Sequence, residues 1–114
     1  MPAQAVPLGE LETLLLLAIL HLSEHREDAY GSAIRSEIEA RAGRRVPRGS
    51  IYVTLDRLEE KGLLASREGS ASASRGDRPK RIFKVTPAGV RAVKTAVRTV
   101  ARMQRGLQAV LGRV

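Results

Sequence analysis

A mainly helical fold with one small β-hairpin is what this sequence predicts, and three observations carry the prediction. Leucine and isoleucine recur at helical spacing through three successive segments that end near Gly62. The period then changes, and two short strand-like runs flank a stretch of serine, alanine, glycine and charge. After the second run comes Thr86-Pro87, a strong helix start. A hydroxyl at the N-cap accepts a backbone N–H, and proline at the first helical position loses no hydrogen bond.

The first element follows an irregular start, "MPAQAVP", and runs from Leu8 to about His25. Leu11, Leu14, Leu15, Ala18 and Leu22 keep a helical rhythm, while Leu16, Leu17, Ile19 and Leu20 fill the other faces. A helix apolar nearly all round must be covered on more than one side. In a chain of 114 residues the extra cover is expected from a second copy, with Leu15 and Ile19 among its contacts. The unbroken apolar run, Leu14 to Leu20, is far short of the ~20 residues that span a bilayer. No lysine or arginine precedes it, so it lacks the charged start of a signal peptide. A soluble, cytoplasmic protein without a membrane partner is expected.

A second helix spans about Tyr30 to Ala42, with Ala33, Ile34, Glu37, Ile38 and Arg41 in rhythm, Asp28 placed to cap it and Gly43 to stop it. The third, "VPRGSIYVTLDRLEEKGLL", starts between Pro47 and Ser50 and ends at Gly62, with Ile51, Leu55 and Leu58 as its apolar stripe. "LLASREG" and "RIFKVT" read as strands joined by the loop "SASASRGDRPK". The last helix begins at Pro87. Val90, Val93, Val97, Val100, Gln104, Leu107, Leu111 and Val114 step by 3 and 4 alternately, a heptad-like seam suited to a dimer interface. Helix, helix, helix, hairpin is the order of a winged helix-turn-helix, expected over residues 1–85, with 86–114 as a dimerisation helix packed on the same domain.

Composition narrows the function. Twenty Lys and Arg face 12 Asp and Glu, a formal charge of +8, which suits a polyanionic partner and above all nucleic acid. There is no cysteine and only His21 and His25 as nitrogen ligands, so no metal or cofactor is expected. No nucleophile–base pair, phosphate-cradling glycine loop or acidic metal cluster suggests an enzyme.

With Ile51, Leu55 and Leu58 turned inward, the third helix shows the solvent a small, aromatic and basic N-terminal half and an acidic C-terminal half, Glu59-Glu60. DNA-reading helices present their N-terminal residues, where the helix dipole favours phosphate. The candidates are Arg48, Ser50, Tyr52, Val53 and Arg57. Taken singly, each could equally be a wet surface residue, with Tyr52 on the rim of the core and Arg57 paired to a carboxylate. At the hairpin tip Arg75, Arg78, Lys80 and Arg81 stand against the single acid Asp77, a composition that can follow a phosphate backbone or merely keep a loop soluble.

At these residues the sequence resembles the PadR family of bacterial transcriptional regulators. The likeness covers Leu8 to about Gly89: "LGELETLLLLAIL", "AYGSAIRSEIEARAGRRV", "GSIYVTLDRLEEKGLL" and "RGDRPKRIFKVTPAG". It implies a homodimer that represses transcription from a palindromic operator in double-stranded DNA, its last helix packed on the partner's first. By the same resemblance Ser50 and Tyr52 face DNA, Tyr30 offers its hydroxyl to a phosphate, and Lys80 and Arg81 sit at the return strand of the wing. Ile82-Phe83 stands where relatives often have an aromatic pair. Some compact relatives hold flat aromatic drugs between tryptophans at the dimer interface; this chain has no tryptophan, and any small-molecule effector is of unknown identity. The alternative is a winged-helix adaptor that binds proteins without sequence-specific DNA binding.

Overall fold

The computed structural model describes residues 7–69 and 80–112. These form α1 (Glu10–Glu24), α2 (Gly31–Ala42), α3 (Arg48–Glu60), β1 (Leu64–Glu68), β2 (Arg81–Val85), α4 (Pro87–Gln104) and α5 (Gln108–Leu111), in that order. β1 and β2 pair antiparallel from Leu64 opposite Val85 to Glu68 opposite Arg81. The architecture is the mainly helical winged helix-turn-helix expected from the sequence.

The core is where the periodicity put it. Ile51, Leu55 and Leu58 of α3 are fully buried against Leu15, Leu16 and Ile19 of α1 and Ile34 of α2. Leu64, Phe83 and Val85 close one side from the hairpin, and Ala92 and Val93 close another from α4. This corrects one expectation: Leu15, Ile19 and Val93, placed at the dimer interface by pattern, are packed inside the protomer. The partly exposed apolar side of α1 consists of Leu11, Leu14, Leu17 and Leu20 instead.

Helix ends are fixed by named bonds. At the start of α1 the Glu12 carboxylate accepts the Gly9 backbone N–H at 2.9 Å, and its other oxygen accepts Lys61 Nζ at 2.8 Å. That links the first turn of α1 to the exit of α3. Burial pushes the Glu12 carboxyl up, but the hydrogen bonds from Lys61 and Gly9 and the charges of Lys61 and Arg57 outweigh it. The group is held below its ordinary value of 4.5.

α2 differs from expectation at its start. Its N-cap is Tyr30, and Asp28 gives no side-chain cap; the Asp28 carbonyl accepts the Tyr30 N–H at 3.0 Å instead. Residues 29 and 30 run beside β2, where the Phe83 N–H reaches the Ala29 carbonyl at 3.0 Å and Tyr30 bridges Ile82. The base of the wing is thereby clamped to the start of α2.

α4 opens as Thr86-Pro87 predicts, with the Thr86 hydroxyl accepting the Gly89 N–H at 3.1 Å and donating to the Gly62 carbonyl at 2.7 Å. It does not continue to Val114. α4 ends at Gln104, and Gly106 adopts φ 84°, a conformation that bends the chain before α5. From Val97 onward α4 leaves the core, so Val97, Val100, Leu107 and Leu111 stand roughly half exposed. No helix among the described residues is long and apolar enough to cross a membrane.

Candidate nucleic-acid interface

α2 and α3 both begin at one cleft. Neither N-terminus has a side-chain cap or an acidic residue in its first turn, whereas α4 is capped by Thr86 and α1 carries Glu12. Uncapped first turns present backbone N–H groups and the positive end of the helix dipole, which is an anion-binding arrangement. The cleft encloses about 600 Å³, between the two helix starts and the base of the wing.

Four cations line it: Arg35, Arg48, Lys80 and Arg81. Two tyrosines organise them. The Arg48 guanidinium lies 5.7 Å from the Tyr52 ring centre, and Lys80 Nζ lies 5.9 Å from that of Tyr30. Tyr52 is 37% exposed, turned away from the Ile51 side that enters the core. Its ring rests directly on Gly31, where a Cβ would come within 2.4 Å of the phenolic oxygen. The Tyr30-Gly31 pair is thus explained: the tyrosine borders the cleft and the glycine makes room for Tyr52.

Other expected residues are not brought together. Ser50 and Val53 are exposed on α3 but do not line the cleft. Arg57 lies on the opposite shoulder, close enough to Glu12 to stabilise its carboxylate. Arg75 and Arg78 fall outside the described residues. Arg81 reaches the cleft, but its guanidinium already donates to Asp56 at 2.9 Å and Glu59 at 3.3 Å, and it stacks 4.7 Å over Phe83. Ser66 on β1 adds a hydrogen bond to Glu59 at 2.8 Å. Arg81 is therefore a strut between wing and α3, and it pairs with two of that helix's acids, Asp56 and Glu59.

Three cleft residues escaped the sequence reading. Ser32 and Gly31 belong to the first turn of α2, and Arg35 follows one turn later. Arg35 donates to the Val46 carbonyl at 2.7 Å and so fixes the turn that delivers α3. Its signal was present only as spacing, since Gly31 and Arg35 share one helix face at i,i+4.

Comparison with known proteins identifies the family. The Transcriptional regulator PadR-like family matches residues 19–95. The transcriptional regulator Rv3488 of Mycobacterium tuberculosis is 34% identical over 88 residues, covering 75% of this chain and 78% of that protein. A PadR family regulator from Eggerthella lenta superposes with a TM-score of 0.62 at 28% identity, covering 83% of this chain and 80% of that one. A PadR family regulator from Clostridium difficile gives a TM-score of 0.70 at 20% identity, covering 90% and 99%, a likeness of fold. With its helix order and family match in agreement, the chain belongs to the PadR-like family of transcriptional regulators.

Proposed function

We propose that the chain is a homodimeric repressor that occupies a palindromic DNA operator. The N-terminal half of α3, through Ser50, Tyr52 and Val53, reads base edges in the major groove. Arg48, Lys80, Tyr30 and the two helix N-termini hold the flanking phosphates. The observation that carries the reading is the split within α3: its cationic start opens onto the cleft, while Asp56 and Glu59 further along are tied off by Arg81 and Ser66. A duplex laid against this surface meets positive charge and few free carboxylates. Arg81 acts here as the residue that aligns the wing rather than as a phosphate ligand.

The seam on α4 supports dimerisation. Val90, Val97 and Val100, with Leu107 and Leu111 beyond the bend, make an apolar surface that continues into a groove beside Leu8 and Leu14 at the start of α1. Covering it needs a dry partner surface, and a second copy of the same chain supplies one. Two recognition helices related by a two-fold axis would meet half-sites one helical turn apart, ~10 bp, or a multiple of it.

The test is a gel-shift series on the region upstream of the protein's own gene and on a scrambled duplex. Specific binding should exceed non-specific binding at every salt concentration, and both should weaken as salt rises, by about 0.9 in log–log slope per neutralised phosphate. Affinity that ignores both sequence and salt would instead favour a protein-binding adaptor.

A further inference from the structure

α4 carries a second charged feature that the operator reading does not use. Arg91, Lys94, Arg98 and Arg102 follow one another by 3, 4 and 4 residues, so they fall on one line along the helix, and Arg105 adds a fifth cation at its C-cap. All five are exposed, on the side turned away from the buried Gly89, Ala92 and Val93. From Arg91 to Arg102 the line is about 17 Å long at 1.5 Å per residue. No carboxylate occurs anywhere after Asp77.

Elsewhere the surface is mixed. Arg41 pairs with Glu37, Arg44 with Glu10, Arg45 with Glu39 and Arg81 with Asp56. Among the described residues no ion pair reaches α4. Like charges three and four residues apart repel and destabilise a helix. Such a line, with none of the interleaved acids used on α2 and α3, is a poor way to achieve solubility and a good way to meet a polyanion.

We propose that this line is a second, sequence-neutral DNA-binding surface, which grips the phosphate backbone of another duplex segment. It is separate from the operator face, because no α4 residue lines the cleft and α4 packs on α1 and β2. Several features select duplex DNA. Four of the five cations are arginine, whose planar fork matches phosphate oxygens. Single strands are gripped by stacking bases on aromatic rings, and the three aromatics, Tyr30, Tyr52 and Phe83, all lie off this helix. A membrane-surface helix would bring bulky anchors such as Trp, Phe or Leu, and α4 has none. The inference goes beyond the operator reading and stands without it.

The experiment mixes the full chain with two short scrambled duplexes, one carrying a fluorescence donor and the other an acceptor. The wild-type protein should bring them together, with energy transfer that falls as salt rises. The variant R91Q/R98Q/R102Q should lose roughly tenfold or more of that bridging, and its log–log salt slope should drop by about 2.7, or 0.9 per charge. Its operator affinity should stay within a factor of about two at matched ionic strength, as expected for groups outside the base-reading face. Its melting temperature should hold or rise, since repulsion has been removed; R98Q alone should give about a third of the slope change. Tyr52→Ala should spare bridging of the scrambled duplexes while losing operator preference, which separates failure of this proposal from failure of the operator reading. Equal bridging by wild type and R91Q/R98Q/R102Q would overturn the assignment. So would binding of the wild type to phosphatidylserine vesicles, abolished in R91Q/R98Q/R102Q, with DNA binding unchanged.

Discussion

The outer face of α3 and the valine seam of α4 are both helix surfaces left outside the core, yet they are made of opposite materials. α3 shows hydroxyl, phenol and guanidinium groups around a cleft lined by cations. α4 shows Val97 and Val100 at 48% and 58% exposure, with Gln104 as the one polar member of the seam. The first can stay wet and still bind, because its polar groups hydrogen-bond with water until phosphate or base edges replace it. The second gains only by drying, since aliphatic surface has nothing to offer but its removal from water. The two faces thus differ in chemistry: one suits a polar partner, the other a partner that excludes water from it.

The largest effect should come from crossing those materials. Val97→Asp puts a carboxylate into the dry seam, at a cost of several kcal/mol if it is buried there. Sedimentation should show a monomer, and a variant that sediments as wild type would mean that the seam is not the dimer contact. On the α3 side, Tyr52→Ala should relax operator discrimination by ~1–3 kcal/mol while non-specific affinity barely moves. A titration on operator and scrambled DNA reads this directly, and equal losses on both would reduce Tyr52 to a positioning role.

Gly31→Ala sharpens the same point without touching α3. The new methyl must displace the end of the Tyr52 ring, a flexible group, so thermal stability should change little. Operator discrimination should fall in the direction of Tyr52→Ala, by a smaller amount. Weaker still is Lys80→Ala, which should lower affinity for all sequences alike and reduce the salt slope by about 0.9.

The smallest effect is one of pH and should leave both faces intact. The Glu12 carboxyl is held below 4.5 in the folded chain, so its contribution to stability is present above the unfolded value and disappears as pH falls through the folded one. Urea melts should show a shallower acid limb for Glu12→Gln than for wild type. An unchanged limb would assign the acid sensitivity to other carboxylates.

These contrasts also explain what could be read from the sequence. The stripe of Ile51, Leu55 and Leu58, the two strands and Thr86-Pro87 were legible because each depends on near neighbours. α1 was not fully legible, since a helix with leucine on every side does not say which side its own chain covers; Leu15 and Ile19 went inside and Leu14 stayed near the surface. The capture of Arg81 by Asp56 spans 25 residues and leaves no local pattern. The valine–leucine rhythm runs straight through Gly106, blind to the backbone turn there, so the seam read as one rod. Distance and single dihedral angles, more than residue type, set the limit.

Gly89 has a consequence for how α4 is set. A Cβ there would come within 2.2 Å of the Leu63 carbonyl oxygen, so the root of α4 seats directly on the backbone leaving α3. In a dimer joined along α4, this seat works like the pivot of a pair of calipers: it sets the angle at which each arm leaves, and hence how far apart the two reading tips are held. A larger residue at position 89 would have to push the root of α4 off the Leu63 carbonyl, turning that helix relative to the body that carries the cleft.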